Sequence, residues 1–111
     1  MSEFVWVYIT TKDAAEAKTI GTHLVEERLA ACANILPAIE SIYEWKGELV
    51  HDHEAALVVK TSQELLDSLV ARVKQLHSYE CPCIVALPII GGSDDFLNWV
   101  REQTAIPIKE E

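Results

Sequence analysis

The chain reads as an α+β protein, a ferredoxin-like β-α-β-β-α-β sandwich with a C-terminal helix and an antiparallel sheet. Three observations predict it. Val5-Trp6-Val7-Tyr8-Ile9-Thr10, the stretch from Leu49 to Val59 and Cys83-Ile84-Val85-Ala86-Leu87-Pro88-Ile89 are runs of β-forming residues. Two segments of helical periodicity fall between them. The resulting order is the split β-α-β pattern, which sets two helices against one face of a four-stranded sheet.

Each element has its own reason. Val5–Thr10 has no polar alternation, so it reads as a strand buried on both faces. Asp13 and Glu16 make a capping-box start, and Ala17, Ile20, Gly21, Leu24 and Val25 follow helical spacing towards Leu29, giving a helix over about residues 13–30. Ala31–Ile35 begins the next strand. Pro37 interrupts it, which places it at a sheet edge or at a bulge. Ile39–Trp45, a tight turn at Lys46-Gly47-Glu48, and Leu49–Val59 form a long hairpin. Thr61 and Glu64 look like a second capping box before a helix over about residues 62–77. After the strand at Cys83–Ile89, Gly91-Gly92-Ser93 breaks the chain and Asp94–Gln103 forms a third helix. Ile106-Pro107-Ile108 adds a brief extended tail.

Length and composition narrow the function classes. The 111 residues make one domain over 1–111, and 50% apolar content suffices for a core. The net charge of −9 argues against nucleic acid and anionic membranes, both of which are bound through Lys and Arg. No apolar run has the length of a membrane span, so no membrane insertion is expected. The N-terminal residues lack the pattern of a secretory signal, and an odd count of three cysteines suits reduced thiols in a cytoplasm. No nucleophile, base and orienting group form a recognisable set, so the chain does not read as an enzyme.

The densest chemistry lies in His77-Ser78-Tyr79-Glu80-Cys81-Pro82-Cys83. An imidazole, a carboxylate and two thiols are the groups that bind soft and borderline metals. Cys81 and Cys83 share one side of an extended segment and suit a linear or trigonal ion such as Cu(I); the plainer reading is two small buried hydrophobes. His77 is either a ligand or a helix-end cap. Tyr79 and Glu80 are either a hydroxyl satisfied by a carboxylate or the rim of an inter-subunit pocket, with Trp45 and Lys60 opposite. His51-Asp52-His53 puts two imidazoles on one strand face but shows no third ligand nearby, so adventitious binding or a solvated hairpin accounts for it. Gly91-Gly92-Ser93 lacks the Lys and hydroxyl of a phosphate loop and reads as a turn and cap.

Several of these segments carry a family likeness. Glu27-Arg28-Leu29-Ala30-Ala31-Cys32-Ala33-Asn34-Ile35 followed by Ser41-Ile42-Tyr43-Glu44-Trp45-Lys46-Gly47 resembles the core signature of the CutA family of divalent-cation tolerance proteins. Lys60-Thr61, His77 to Pro82, Leu87-Pro88-Ile89 and Phe96-Leu97-Asn98-Trp99 resemble its second half, in order. The resemblance implies a ferredoxin-like homotrimer joined by sheet edges and hairpins, kinship with PII signal-transduction trimers, and a link to tolerance of copper and other divalent metals. It brings no catalytic set. The chain departs from the family pattern at Ser78, where proline is usual, and at Cys83, where an acidic residue is usual. Copper-linked members carry a first-strand cysteine where Ile9 stands, and a second histidine where Leu76 stands.

The expected protein is therefore a non-enzymatic, cytoplasmic homotrimer that binds copper or another divalent metal. Its metal ligands are His77, Cys81 and Cys83, beside a cleft of Trp45, Lys60, Tyr79 and Glu80. The alternatives are a PII-like small-molecule sensor using that cleft, and a trimeric scaffold that anchors another protein.

Overall fold

Alternation along the first strand decides where the core forms. In the computed structural model, which describes residues 2–105, β1 (Phe4–Thr11) buries Val5, Val7 and Ile9 on one face. Helices α1 (Ala14–Glu26) and α2 (Leu66–Leu76) supply Ala17, Ile20, Leu24, Leu69 and Val73 to the same cluster. Each large aliphatic buried there contributes about 1.5–3 kcal/mol. Gly21 sits at the closest approach of α1 to the sheet. A Cβ at that position would stand 3.1 Å from Ala33 Cβ and 3.2 Å from Leu57 Cδ1, which accounts for a residue that costs about 1 kcal/mol in a helix interior.

The remaining strands are β2 (Cys32–Trp45), β3 (Glu48–Ser62) and β4 (Ile84–Ile89), and α3 (Asp94–Thr104) closes the described chain. The sheet order is β2-β3-β1-β4, with every neighbouring pair antiparallel, as the split β-α-β reading requires. β2 is an edge strand and also carries a register shift between Leu36 and Ile39, so Pro37 has both of the features expected of it. β3 pairs with β1 only from Ala55 to Ser62. Its first half, from Glu48 to Glu54, pairs with β2 alone and projects as a two-stranded ribbon. Lys46 and Gly47 turn that ribbon with φ values of 52° and 83°, the left-handed pair that a two-residue hairpin loop prefers.

On the sheet face opposite α1 and α2, α3 covers one end, where Val100 packs with Phe4 and Ala31. Among the described residues the rest of that face is open. Trp6 and Tyr8 stack there with ring centroids 6.3 Å apart and are only half-buried, so among the described residues of one chain β1 is fully buried on one face. Val85 and Leu87 stay 53% and 54% exposed beside them.

Two helix boundaries differ from the expectation. The first helix ends at Glu26 instead of near residue 30, because the chain enters a left-handed cap: Arg28 has φ 61°, Leu29 N–H donates to Leu24 O and Arg28 N–H to Val25 O. Glycine usually occupies such a position. The arginine there instead reaches the C-terminus of α3, donating to the carbonyl oxygens of Glu102 at 2.9 Å and Ala105 at 3.4 Å. The second helix begins at Leu66, after a short 3-10 turn over Gln63–Leu65, and no side chain caps it. Thr61 cannot cap because it is still in β3, where its buried hydroxyl donates to Leu29 O at 2.7 Å. The expected tail at Ile106–Ile108 lies outside the described residues.

Arg28 therefore combines an unfavourable backbone with a favourable side chain. Arg28→Ala keeps the strain and loses both bonds to α3, whereas Arg28→Gly loses the bonds but relieves the strain. The glycine variant should be the more stable of the two by about 1 kcal/mol in urea unfolding. Equal stability would show that the left-handed residue carries no cost.

Candidate functional site

Between α2 and β4 the chain forms no helix or strand, yet it is held at many points. His77 N–H donates to Val73 O at 2.9 Å and ends α2. The His77 ring then crosses to β1, where Nε2 lies 2.7 Å from Thr10 O. A carbonyl only accepts, so Nε2 carries the proton and Nδ1 is the free acceptor. Nδ1 takes the N–H of Tyr79 at 3.0 Å. Ser78 N–H donates to Glu16 Oε2 at 2.9 Å, and Thr10 N–H to Cys83 O at 3.3 Å.

Glu16 is the joint between two regions. Its N–H donates to the Asp13 carboxylate at 2.8 Å, and its own Oε1 accepts from Lys12 N–H at 2.9 Å. The Asp13 half of the capping box thus forms as expected, the return bond comes from Lys12 N–H instead of Asp13 N–H, and the second oxygen is left for Ser78. Partial burial pushes the Glu16 pKa up. The N–H of Lys12, the hydroxyl and N–H of Ser78 and the nearby His77 ring outweigh it and hold the carboxyl below its ordinary value.

This fastened segment forms one wall of an open cavity of about 600 Å³. The other wall is the projecting ribbon, which contributes Ser41, Tyr43, Trp45, Asp52 and Glu54. Strand alternation puts these on one face: Ser41 stands opposite Asp52 and Ile39 opposite Glu54. Tyr79 links the walls, its hydroxyl donating to Glu54 Oε2 at 2.7 Å. Tyr43 donates to Asp52 Oδ2 at 3.2 Å. Burial raises the Tyr79 pKa, and the Glu54 hydrogen bond and the charges of Glu54 and Asp52 raise it further, so the phenol stays protonated. Burial and the Asp52 bond act on Tyr43 in the same direction.

The expected site residues divide. Trp45, Tyr79, Glu80, Cys81 and Cys83 all line the cavity. Both cysteines are free and exposed rather than buried hydrophobes. His77 stands behind the wall, its ring tilted against Tyr79 at 4.8 Å, with both nitrogens engaged by backbone. Lys60 is not among the lining residues: it is opposite Trp6 and Cys32, about 20 Å along β3 from Glu54. Its ammonium donates to Asn34 Oδ1 at 2.6 Å. His51 and His53 are exposed on the ribbon face turned away from the cavity.

Asp52, Glu54, Tyr43 and Glu16 did not stand out as site residues from the sequence. A signal was present for three of them. Tyr43 on one strand, and Asp52 and Glu54 on the other, recur at a period of two, and such residues share a face. Glu16 gave no such signal, because a capping glutamate looks the same whether or not its second oxygen is used.

The geometry has close relatives. The chain matches the family model described as CutA1 divalent ion tolerance protein over residues 5–103. The chain belongs to this CutA1 family. It is 52% identical over 98 residues to the divalent-cation tolerance protein CutA of Thermus thermophilus, covering 88% of this chain and 95% of that protein. The solved structure of that Thermus protein superposes with a TM-score of 0.89 at 50% identity, covering 92% of this chain and 99% of that one. The Oryza sativa CutA1 structure gives 0.90 at 39% identity, covering 94% and 95%. With the chloroplastic protein CutA of Arabidopsis thaliana the chain shares 45% over 98 residues, 88% of its length and 54% of that protein's. It spans about half the length of the plant and human relatives it matches. Among the described residues of this CutA1 family member, no helix is long and apolar enough to cross a membrane.

The Glu16 joint has a pH signature. A pKa lower in the folded than in the unfolded state means that its stabilisation is complete above the unfolded value, ordinarily 4.5, and is lost as pH falls through the folded one. Urea midpoints measured from pH 6 down to about 3 should therefore fall less steeply in Glu16→Gln than in the parent. Parallel curves would mean that the Ser78 and Lys12 bonds do not favour the ionised carboxylate.

Proposed function

We propose that the chain is a non-enzymatic, single-domain homotrimer that binds a soft metal ion, copper foremost, and serves divalent-cation tolerance in the cytoplasm. Cys81 and Cys83 carry this reading: two free, exposed thiols one residue apart at the cavity, with no hydrogen bond among the described residues holding either side chain. Two thiolates suit Cu(I), a soft ion content with few ligands. They fall short of a tetrahedral zinc site or an oxygen-rich magnesium site.

Among the described residues no group of three or more His, Cys, Asp or Glu side chains stands assembled to hold a metal. His77 becomes a third ligand only by giving up its 3.0 Å bond from Tyr79 N–H, since Nδ1 holds the available lone pair. Metal binding through all three residues is thus coupled to movement of the segment. Trp45, Tyr79 and Glu80 form the adjoining cleft, and Lys60 takes no part in it within one chain. A reducing cytoplasm keeps the cysteines available.

Assembly is supported by apolar surface. Besides Val85 and Leu87 on the open sheet face, Ile42 and Leu49 of the ribbon are 67% and 68% exposed. Surface of this kind marks a protein interface. A two-stranded ribbon is also marginal in water without something packed on it.

Anaerobic titration with Cu(I) against a competing chromophoric chelator, on protein whose mass is read by light scattering, tests the reading. One ion per chain of a trimer is expected, with binding lost in the Cys81→Ser, Cys83→Ser double variant. Unchanged affinity in that variant would place the ion elsewhere.

A further inference from the structure

The cavity has a charge that the thiols do not explain. Glu54 is 7% exposed, yet among the described residues no Lys or Arg lines the cavity with it. Its hydrogen bond is from the Tyr79 hydroxyl to Oε2; among the described residues Oε1 has no partner. Among those residues no fully enclosed side-chain nitrogen or oxygen lacks a partner, so Oε1 opens onto the cavity that Glu54 lines. That open oxygen is available to accept a charge-assisted hydrogen bond from a cation held in the cavity.

The surroundings select the kind of cation. Asp52 shares the strand face with Glu54, two residues away, so their backbones are about 7 Å apart. A single metal ion holds its oxygen ligands at about 2.0–2.6 Å, which suits side chains converging on one point. Each of these two carboxylates is instead engaged by a different tyrosine, Asp52 by Tyr43 and Glu54 by Tyr79. Two positive centres joined by a short apolar spacer match the ~7 Å spacing of the two positions. Tyr43, Trp45 and Tyr79 provide ring surface for the spacer and for the ammonium groups.

We propose that this cavity binds an aliphatic diamine or polyamine, with one ammonium at Glu54, another at Asp52, and the methylene chain against Tyr43, Trp45 and Tyr79. The exposed carboxylate of Glu80, on the facing wall, is placed for a third ammonium. The site shares the cavity with the metal reading but uses none of its three ligands, so each stands or falls separately.

Calorimetric titration of the assembled, metal-free protein with 1,4-diaminobutane, spermidine, butylamine and magnesium chloride tests it. Saturable binding of the diamine is expected, at least about tenfold tighter than butylamine because the second ammonium gains its own charge-assisted bonds. Spermidine should bind more tightly still, and magnesium should not compete. Glu54→Gln and Asp52→Asn should each weaken the diamine about tenfold, and the Cys81→Ser, Cys83→Ser variant should leave it unchanged. If Glu54→Gln fails to fold, Asp52→Asn and Trp45→Leu, at more exposed positions, should still weaken the diamine and so test the same site. Absence of saturable binding overturns the proposal, as does equal affinity for diamine and butylamine, or full affinity in the carboxylate variants. Binding that appears only in Lys60→Ala also overturns it, since Lys60 of a second copy would then be the native counter-charge.

Discussion

The molecule depends on β3 being longer than the strand beside it. Its second half, Ala55–Ser62, is central in the sheet and carries Leu57 and Val59 into the core. Its first half has β2 on one side and no described strand on the other. Glu54 stands at the changeover, the last residue before β1 pairing begins. Everything on the functional side follows from this overhang. It creates the ribbon, leaves the ribbon's inner face without a neighbouring strand, and opens the space into which Tyr79 reaches from the segment after α2.

The segment itself is built for placement rather than for regular structure. A stretch of irregular backbone leaves donors and acceptors that must find partners. Here the His77 ring, the Glu16 carboxylate and the ends of β1 supply them. The histidine serves as a two-sided connector whose tautomer is set by the Thr10 carbonyl. Cys81 and Cys83 follow on the same segment, free and exposed and with no side-chain hydrogen bond among the described residues, so the backbone is held while the thiols stay available.

The sheet order, the hairpin and the edge position of β2 were legible in the sequence because they rest on hydrophobic periodicity and on Pro37, which are local signals. The end of α1 was not, because an arginine stands where the left-handed cap favours glycine, and its compensation comes from α3, far along the chain. Thr61 misled for a related reason: a threonine three residues before a glutamate looks like a cap, but burial against Leu29 decided its role. At the site, the cluster from His77 to Cys83 was visible as composition. Its division into a connector and free thiols depends on contacts with Thr10 and Glu16, which no spacing encodes. Lys60 was grouped with an inter-subunit cleft, and within one chain the register of β3 sets it about 20 Å from Glu54.

The uncovered ribbon has a thermodynamic consequence. One wall of the cavity is carried by a hairpin that no other described strand supports, and the other wall is fixed to the core. Whatever packs on the outside of the hairpin restrains the wall inside it, and whatever fills the cavity restrains the hairpin. Such coupling is reciprocal, so in the proposed trimer assembly and cavity occupancy would change each other's affinity by the same factor. Protein concentration would then act as an effector in its own right: diluting that trimer would loosen its grip on a ligand that never touches the interface.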